Sequence, residues 1–396
     1  ANFKLSSGGE SVSLFDSDGE VVSVLFPDYP KQNVFYSYGR EPGGETFGFL
    51  AEPTPGAANK GLFSSAKADS PQFSVGGGFH AEPVELALTS DTLGVTIRYT
   101  MDGSDPTMTS GELYTAPFVL DRIDEKTGHC IRAQAFRDGL LDSDISTQTY
   151  LIGQHPDLST APTLIMSGES ENVFYKPYGV LSIEGGKYVN DVWIPERHDD
   201  YHLPRNRGRA YERPGHIEFY EPDGSGFHGP AGIRVSASGY SRPRLIYGDT
   251  QASPFPPNFL HKPSFNLWFR NDYGQSNVKY PLLGDDYPVR SFEQFRVRAG
   301  KNDARNPFIR DELVRRLYHD MGQESSLGRI NTLYINGRFK GFYNLCERLR
   351  EPFMQKHHDS EEEWDVRQVR SIENGDGLAW NELKARLAQD LDVEDN

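Results

Sequence analysis

Short apolar alternations broken by turns dominate the first 150 residues. Val12 and Leu14 precede Asp18-Gly19, then Val22, Val24 and Phe26 follow, and Pro27 closes the run. A period of two without intervening helices predicts strands, and therefore sheet packed on sheet. The stretch from Thr54 to Ser65 is rich in Pro, Gly, Ala and Ser and reads as a linker. From Pro71 to Tyr150 the β pattern resumes, with Val95, Ile97 and Tyr99 on one strand face and Asp102-Gly103 suited to positive φ in a hairpin turn. A second break runs from Gly153 to Pro162, and from Thr163 onward strands mix with helix.

In this last region Phe295, Val297 and Ala299 alternate with Arg296 and Arg298, so both arginines project from one sheet face. Ile309, Leu313, Leu317 and Met321 recur at helical spacing, with Asn306 as cap, Pro307 in the first turn and Gly322 as the stop. That apolar stripe is expected to be core, and Arg310, Glu312, Arg315 and Arg316 to lie on or beside the exposed face. Asn336-Gly337 between two apolar runs predicts a hairpin that continues to Cys346-Glu347. A further helix is expected to start within Asp376 to Leu383.

The length of 396 residues exceeds one ordinary core and suggests two or three domains. Hydrophobic content of 36% with 39 Gly and 26 Pro suits turn-rich β architecture. The formal charge of −16, without a basic block, argues against nucleic acid as a partner, since phosphate contacts need a concentrated Lys/Arg face. No apolar run is long enough to span a membrane, and no signal peptide is visible. The two cysteines, Cys130 and Cys346, fall in different predicted domains, so no disulfide between them is expected.

Candidate chemistry is sparse. Asp102 and Asp105 read as turn-formers, because two carboxylates fall short of a calcium cage. His357-His358, His198, His202 and His216 lack the spacing of a zinc site. Lys262 reads either as a phosphate ligand or as a solvated strand-edge lysine. Arg298 could contact phosphate bidentately or pair with a helix carboxylate such as Glu312. Asp303 is either a metal ligand or a helix cap or dipole partner, and the residues around Glu347 offer it a salt bridge with Arg348 or Arg350.

Several words carry family resemblances. Tyr211-Glu212-Arg213-Pro214, Ala231 to Arg242, Lys262-Pro263-Ser264-Phe265, and Arg298-Ala299-Gly300-Lys301-Asn302-Asp303 together resemble the spore coat protein H (CotH) kinase family. The chain departs from the family's words at Val235-Ser236-Ala237, where a glycine-asparagine core is usual, and at His261, which replaces one lysine of a pair. Thr96 to Thr107, Tyr114, Pro117-Phe118 and Ile131-Arg132-Ala133 resemble the C-terminal β-sandwich of chitobiases and hexosaminidases. Asn2 to Ser6, Gly39-Arg40 and Pro53 to Asn59 resemble the second half of a lamin-tail domain.

The resemblances imply a multidomain chain: immunoglobulin-like β-sandwich modules at 1–60 (partial lamin tail) and 61–153 (chitobiase-like), then an α+β kinase-like domain at 154–396, incomplete at its C-terminus. They imply an atypical Ser/Thr protein kinase of a bacterial cell surface or secreted protein, using ATP and magnesium on a surface protein substrate. Lys262, Ser238, Arg298, Asp303 and Glu347 would contact the nucleotide. The family's catalytic and metal-binding aspartates are expected beyond Asn396, so this fragment is expected to be inactive. The alternative is a non-enzymatic surface module that binds glycan or scaffolds other proteins.

Overall fold

The computed structural model describes residues 5, 9–25, 28–30, 36–175, 177–182, 187–189, 192–194, 208–236, 263–285, 287–300, 309–368 and 371–388. The alternation near the N-terminus forms a hairpin of Val12–Phe15 with Val21–Leu25, and Ser37–Arg40, Phe47–Leu50 and Phe63–Ser64 form a three-stranded sheet. Leu14, Phe15, Val21 and Val22 stay exposed on the hairpin.

The second β segment is a sandwich. One sheet orders Glu112–Leu113, Thr96–Thr100, His129–Phe136, Ser146–Ile152 and Gly78–His80, and the facing layer pairs Phe118–Leu120 with Val84–Leu86. Ile97 and Tyr99 turn inward as the alternation predicts, against Leu86, Leu120, Ile131 and Ala133. Asp102 closes its turn by accepting from the Ser104 amide at 3.0 Å, with Gly103 at φ 85°, while Asp105 pairs with Arg132. Both aspartates therefore act structurally.

Among the described residues, seven further strands close into a barrel: β1 (Thr163–Ser167), β2 (Arg213–Tyr220), β3 (Gly226–Ser236), β4 (Ser264–Trp268), β5 (Gln294–Arg298), β6 (Gly328–Ile335) and β7 (Arg338–Cys346). The order is β1-β2-β3-β4-β5-β7-β6, and the parallel pairing of β6 with β1 closes it. Closure removes the sheet edges that an open lobe would expose. Ile217, Phe219, Ile233, Val235, Phe265, Leu267, Phe295, Val297, Leu333 and Leu345 fill it.

Sandwich and barrel share a buried seam. Leu151, Ile165, Tyr220 and Tyr334 form one apolar cluster across it. Gly337, at φ 73° in the predicted Asn336-Gly337 turn, accepts from the Gly128 amide at 2.8 Å. A Cβ at Gly337 would sit 2.2 Å from the Gly128 carbonyl oxygen, so both turn and contact demand glycine.

Helix α1 (Arg310–Asp320) corrects one expectation. Ile309, Leu313, Leu317 and Met321 lie outside, 48–73% exposed, and the buried residue is Glu312. Glu312 accepts from the Gly328 amide at 3.0 Å and from Asn344 Nδ2 at 2.8 Å, and pairs with Arg315 and Arg316. A network of charge-assisted bonds to β6 and β7 thus fixes the polar face inward, a choice that 3.6-residue spacing cannot make by itself. Gly322 follows the helix with φ 78°, as predicted. Asn306 and Pro307 lie outside the described residues. Two more helices, α2 (Glu351–His357) and α3 (Leu378–Leu387), follow β7, and the Asp376 side chain accepts from the Leu378 amide at the start of α3.

Candidate functional site

The barrel's outer face between β3 and β7 is built by register. Arg234, Asn266, Arg296 and Cys346 stand opposite one another across β3, β4, β5 and β7. The next row outward from the same strands is Ser236, Ser264, Arg298 and Asn344, and on the other side Gly232, Trp268 and Gln294. Alternate residues of the same strands fill the core, so period-two patterning puts these arginines on one surface.

Trp268 is the platform of this face. The Arg234 guanidinium carbon lies 3.6 Å from its ring centroid, Arg348 5.2 Å and Arg270 5.8 Å. Such stacking aligns planar cations while leaving their N–H edges free to donate. Glu212, whose side chain is fully buried, holds two of them: it accepts from Arg270 Nε and Tyr273 Oη at 2.9 Å each, with Arg234 Nε at 3.4 Å. Gly232 leaves the room, since a Cβ there would sit 2.3 Å from Glu212 Oε1.

Charge balance fails further along the face. Among the described residues Arg296 reaches only the Asn266 amide oxygen, at 3.4 Å, and Arg348 the Gln294 amide oxygen, at 2.8 Å. Neither has a carboxylate partner among the described residues. Burial, and then the charges of Arg296, Arg350 and Arg234, pull Arg348 down to about 9. Burial likewise lowers Arg296. A guanidinium keeps its proton across the physiological range, so this electrostatic pressure is expressed as affinity for an anion.

The sequence-derived candidates do not converge as a set. Arg298 forms a bidentate pair with Asp311 on α1, both bonds 2.8 Å, which realises the helix-pairing alternative through Asp311 rather than Glu312. Glu347 turns away from the arginines. It accepts from Tyr287 Oη at 2.6 Å and sits 3.3 Å from His357 Nε2, so neither Arg348 nor Arg350 is its partner. Burial, and then the Glu347 charge, push the Tyr287 phenol up, keeping it a donor. Arg350 pairs instead with Glu373. Lys262, Ser238 and Asp303 lie outside the described residues.

Sequence reading placed Arg296 beside Arg298 but overlooked Arg234, Arg348 and Trp268. Lining up the alternation of β3, β4 and β5 would have brought the first and last onto the same face; Arg348, past the end of β7, gave no such signal.

Cys130 and Cys346 are both buried and free. Among the described residues no group of three or more His, Cys, Asp or Glu is placed to hold a metal ion, and no helix is long and apolar enough to cross a membrane. Curated proteins give no match to the chain. Residues 86–150 match the family model described as Fn3 associated, which covers most of the sandwich. Residues 257–391 match the family model CotH kinase protein, and Trp268, Arg296, Arg298 and Arg348 all fall within that match.

Proposed function

We propose that the arginine face holds the phosphates of a nucleotide, and that its domain works as an atypical Ser/Thr protein kinase-like unit drawing on ATP. The observation that carries this reading is the pairing state of the arginines. Arg296 and Arg348 are desolvated, lie among like charges and form no salt bridge among the described residues, which is the arrangement a polyphosphate would complete. The match to the CotH kinase protein model supports phosphoryl transfer as the reaction class.

In this reading Arg234 and Arg270 are oriented by Glu212 and stacked on Trp268, so their geometry precedes the ligand. Ser236 and Ser264 are paired at the ends of β3 and β4. Ser238 follows Ser236 by two residues and Lys262 precedes Ser264 by two, and both keep their proposed phosphate contacts on sequence grounds, with Asp303 proposed on the same grounds as a metal ligand beside the nucleotide. Glu347 contributes at one remove, by anchoring the chain just before Arg348 through Tyr287 and His357. Magnesium would add charge neutralisation between phosphates, and no described residue is assigned to it. We further propose the division into 1–60, 61–153 and 154–396, the first two being lamin-tail-like and chitobiase-like attachment modules of a bacterial surface or secreted protein.

The test is titration of the chain with ATP and with inorganic triphosphate. Both are expected to bind, and Arg296→Met and Arg348→Met to weaken each by about tenfold or more, the loss of one charge-assisted contact. Absence of binding, or wild-type affinity in both variants, would overturn the reading.

A further inference from the structure

A concavity of about 1020 Å³ lies where the N-terminal sheets, the sandwich and the barrel meet, with Tyr273, which donates to Glu212, on the side toward the arginine face. Its size is that of a ligand site rather than a packing fault. Tyr36 and Phe73 line it from one side, and His216, His228, Tyr273 and Gln275 from the barrel.

The charged groups of its wall are already matched. Arg132 pairs with Asp105, Lys67 with Asp144, and Asp272 with Arg209. What is left unmatched is neutral. His216 Nε2 and the Gln275 side-chain nitrogen are both shielded from solvent and lack a hydrogen-bond partner. Burial, and then His228 and Arg132, hold His216 down at about 3, so the imidazole is uncharged at physiological pH. The Gln275 amide packs over Gly229, where a Cβ would come within 2.4 Å of its nitrogen. Buried polar groups without partners cost roughly 1–3 kcal/mol each, a cost removed when a ligand turns these two side chains toward the cleft that they line.

We infer that this cleft binds a neutral, hydroxyl-rich ligand, an oligosaccharide of a few units. A hydroxyl both donates and accepts, and so satisfies an amide donor and an imidazole nitrogen in either tautomer. The C–H faces of a sugar ring suit the aromatic surfaces of Tyr36, Phe73 and Tyr273. An anion would meet no unpaired cation here, in contrast to the arginine face.

The experiment is calorimetric titration of the chain with neutral tetrasaccharides of glucose, mannose and N-acetylglucosamine, and with an uncharged peptide of similar length. At least one saccharide is expected to bind one-to-one. Gln275→Ala and Tyr36→Ala should each weaken it about tenfold or more while thermal midpoints hold, and Arg348→Met should leave it unchanged. If Gln275→Ala does not fold, Tyr36→Ala carries the result. Hydrogen exchange should slow at 213–216 and 270–275 on binding. The inference is overturned if no saccharide binds at millimolar concentration, if only the peptide binds, or if neither cleft variant weakens binding. It is equally overturned if Arg348→Met abolishes binding. Because ATP binding is read with different variants, this inference and the nucleotide reading fail separately.

Discussion

Glu218 makes the seam between sandwich and barrel pH-dependent. It lies on β2 with no exposed surface and accepts from the Thr149 amide at 2.8 Å, Thr149 Oγ1 at 2.7 Å and Tyr220 Oη at 2.9 Å. Burial pushes its carboxyl from the ordinary 4.5 up to about 7, with the hydrogen bonds pulling the other way. Below about pH 4.5 folded and unfolded chains both carry the proton, and this site adds no pH dependence. Between about 4.5 and 7 the unfolded chain releases it while the folded chain keeps it, so stability falls as pH rises, and above about 7 the loss is complete. At about 1.4 kcal/mol for each pKa unit, the full loss is at most about 3 kcal/mol. Glu218→Gln removes the titration and can keep the bonds: the amide oxygen takes the Thr149 N–H and Tyr220 O–H, and the amide nitrogen donates to Thr149 Oγ1. The variant should match the wild type near pH 4.5 and exceed it by about 2 kcal/mol at pH 8. Urea unfolding across this range, with exchange of the Thr149 amide as the reporter of the seam, measures both. A variant less stable than the wild type at pH 8, or a wild-type profile no steeper than the variant's between 4.5 and 7, would refute the reasoning.

Three further outcomes are expected. Arg348→Met should raise the unliganded protein's stability by about 1 kcal/mol, since it removes a desolvated charge from among like charges; a calorimetric midpoint that falls would contradict this. Glu212→Gln leaves Arg234 and Arg270 without their shared carboxylate and should cost about 3–5 kcal/mol, whereas Gly232→Ala, which crowds Glu212, should cost about 1–3 kcal/mol in denaturant titration. Leu317→Lys on the exposed stripe of α1 should change stability by no more than about 0.5 kcal/mol, where a core position would lose several.

The sequence by itself determined the local elements. Alternation set the strands of the sandwich, Asn336-Gly337 set the β6–β7 turn because both residues accept positive φ, and Phe295, Val297 and Ala299 put Arg296 and Arg298 on one face. Its inward and outward assignments held in the sandwich and the barrel strands, but not in the N-terminal hairpin, where Leu14, Val22 and Val24 stay exposed. They failed for α1, because spacing defines a stripe without saying what covers it, and there Glu312 found Gly328, Asn344 and two arginines while Leu313 and Leu317 were left outside. Only the tertiary structure decided that seven strands close into a barrel, since closure depends on the parallel meeting of Thr163–Ser167 with Gly328–Ile335, segments far apart in the chain. The same closure set Arg234, Arg270 and Arg348 around Trp268 and gave Arg298 to Asp311. Charge pairing is decided by proximity in space, and a sequence lists charges without their distances.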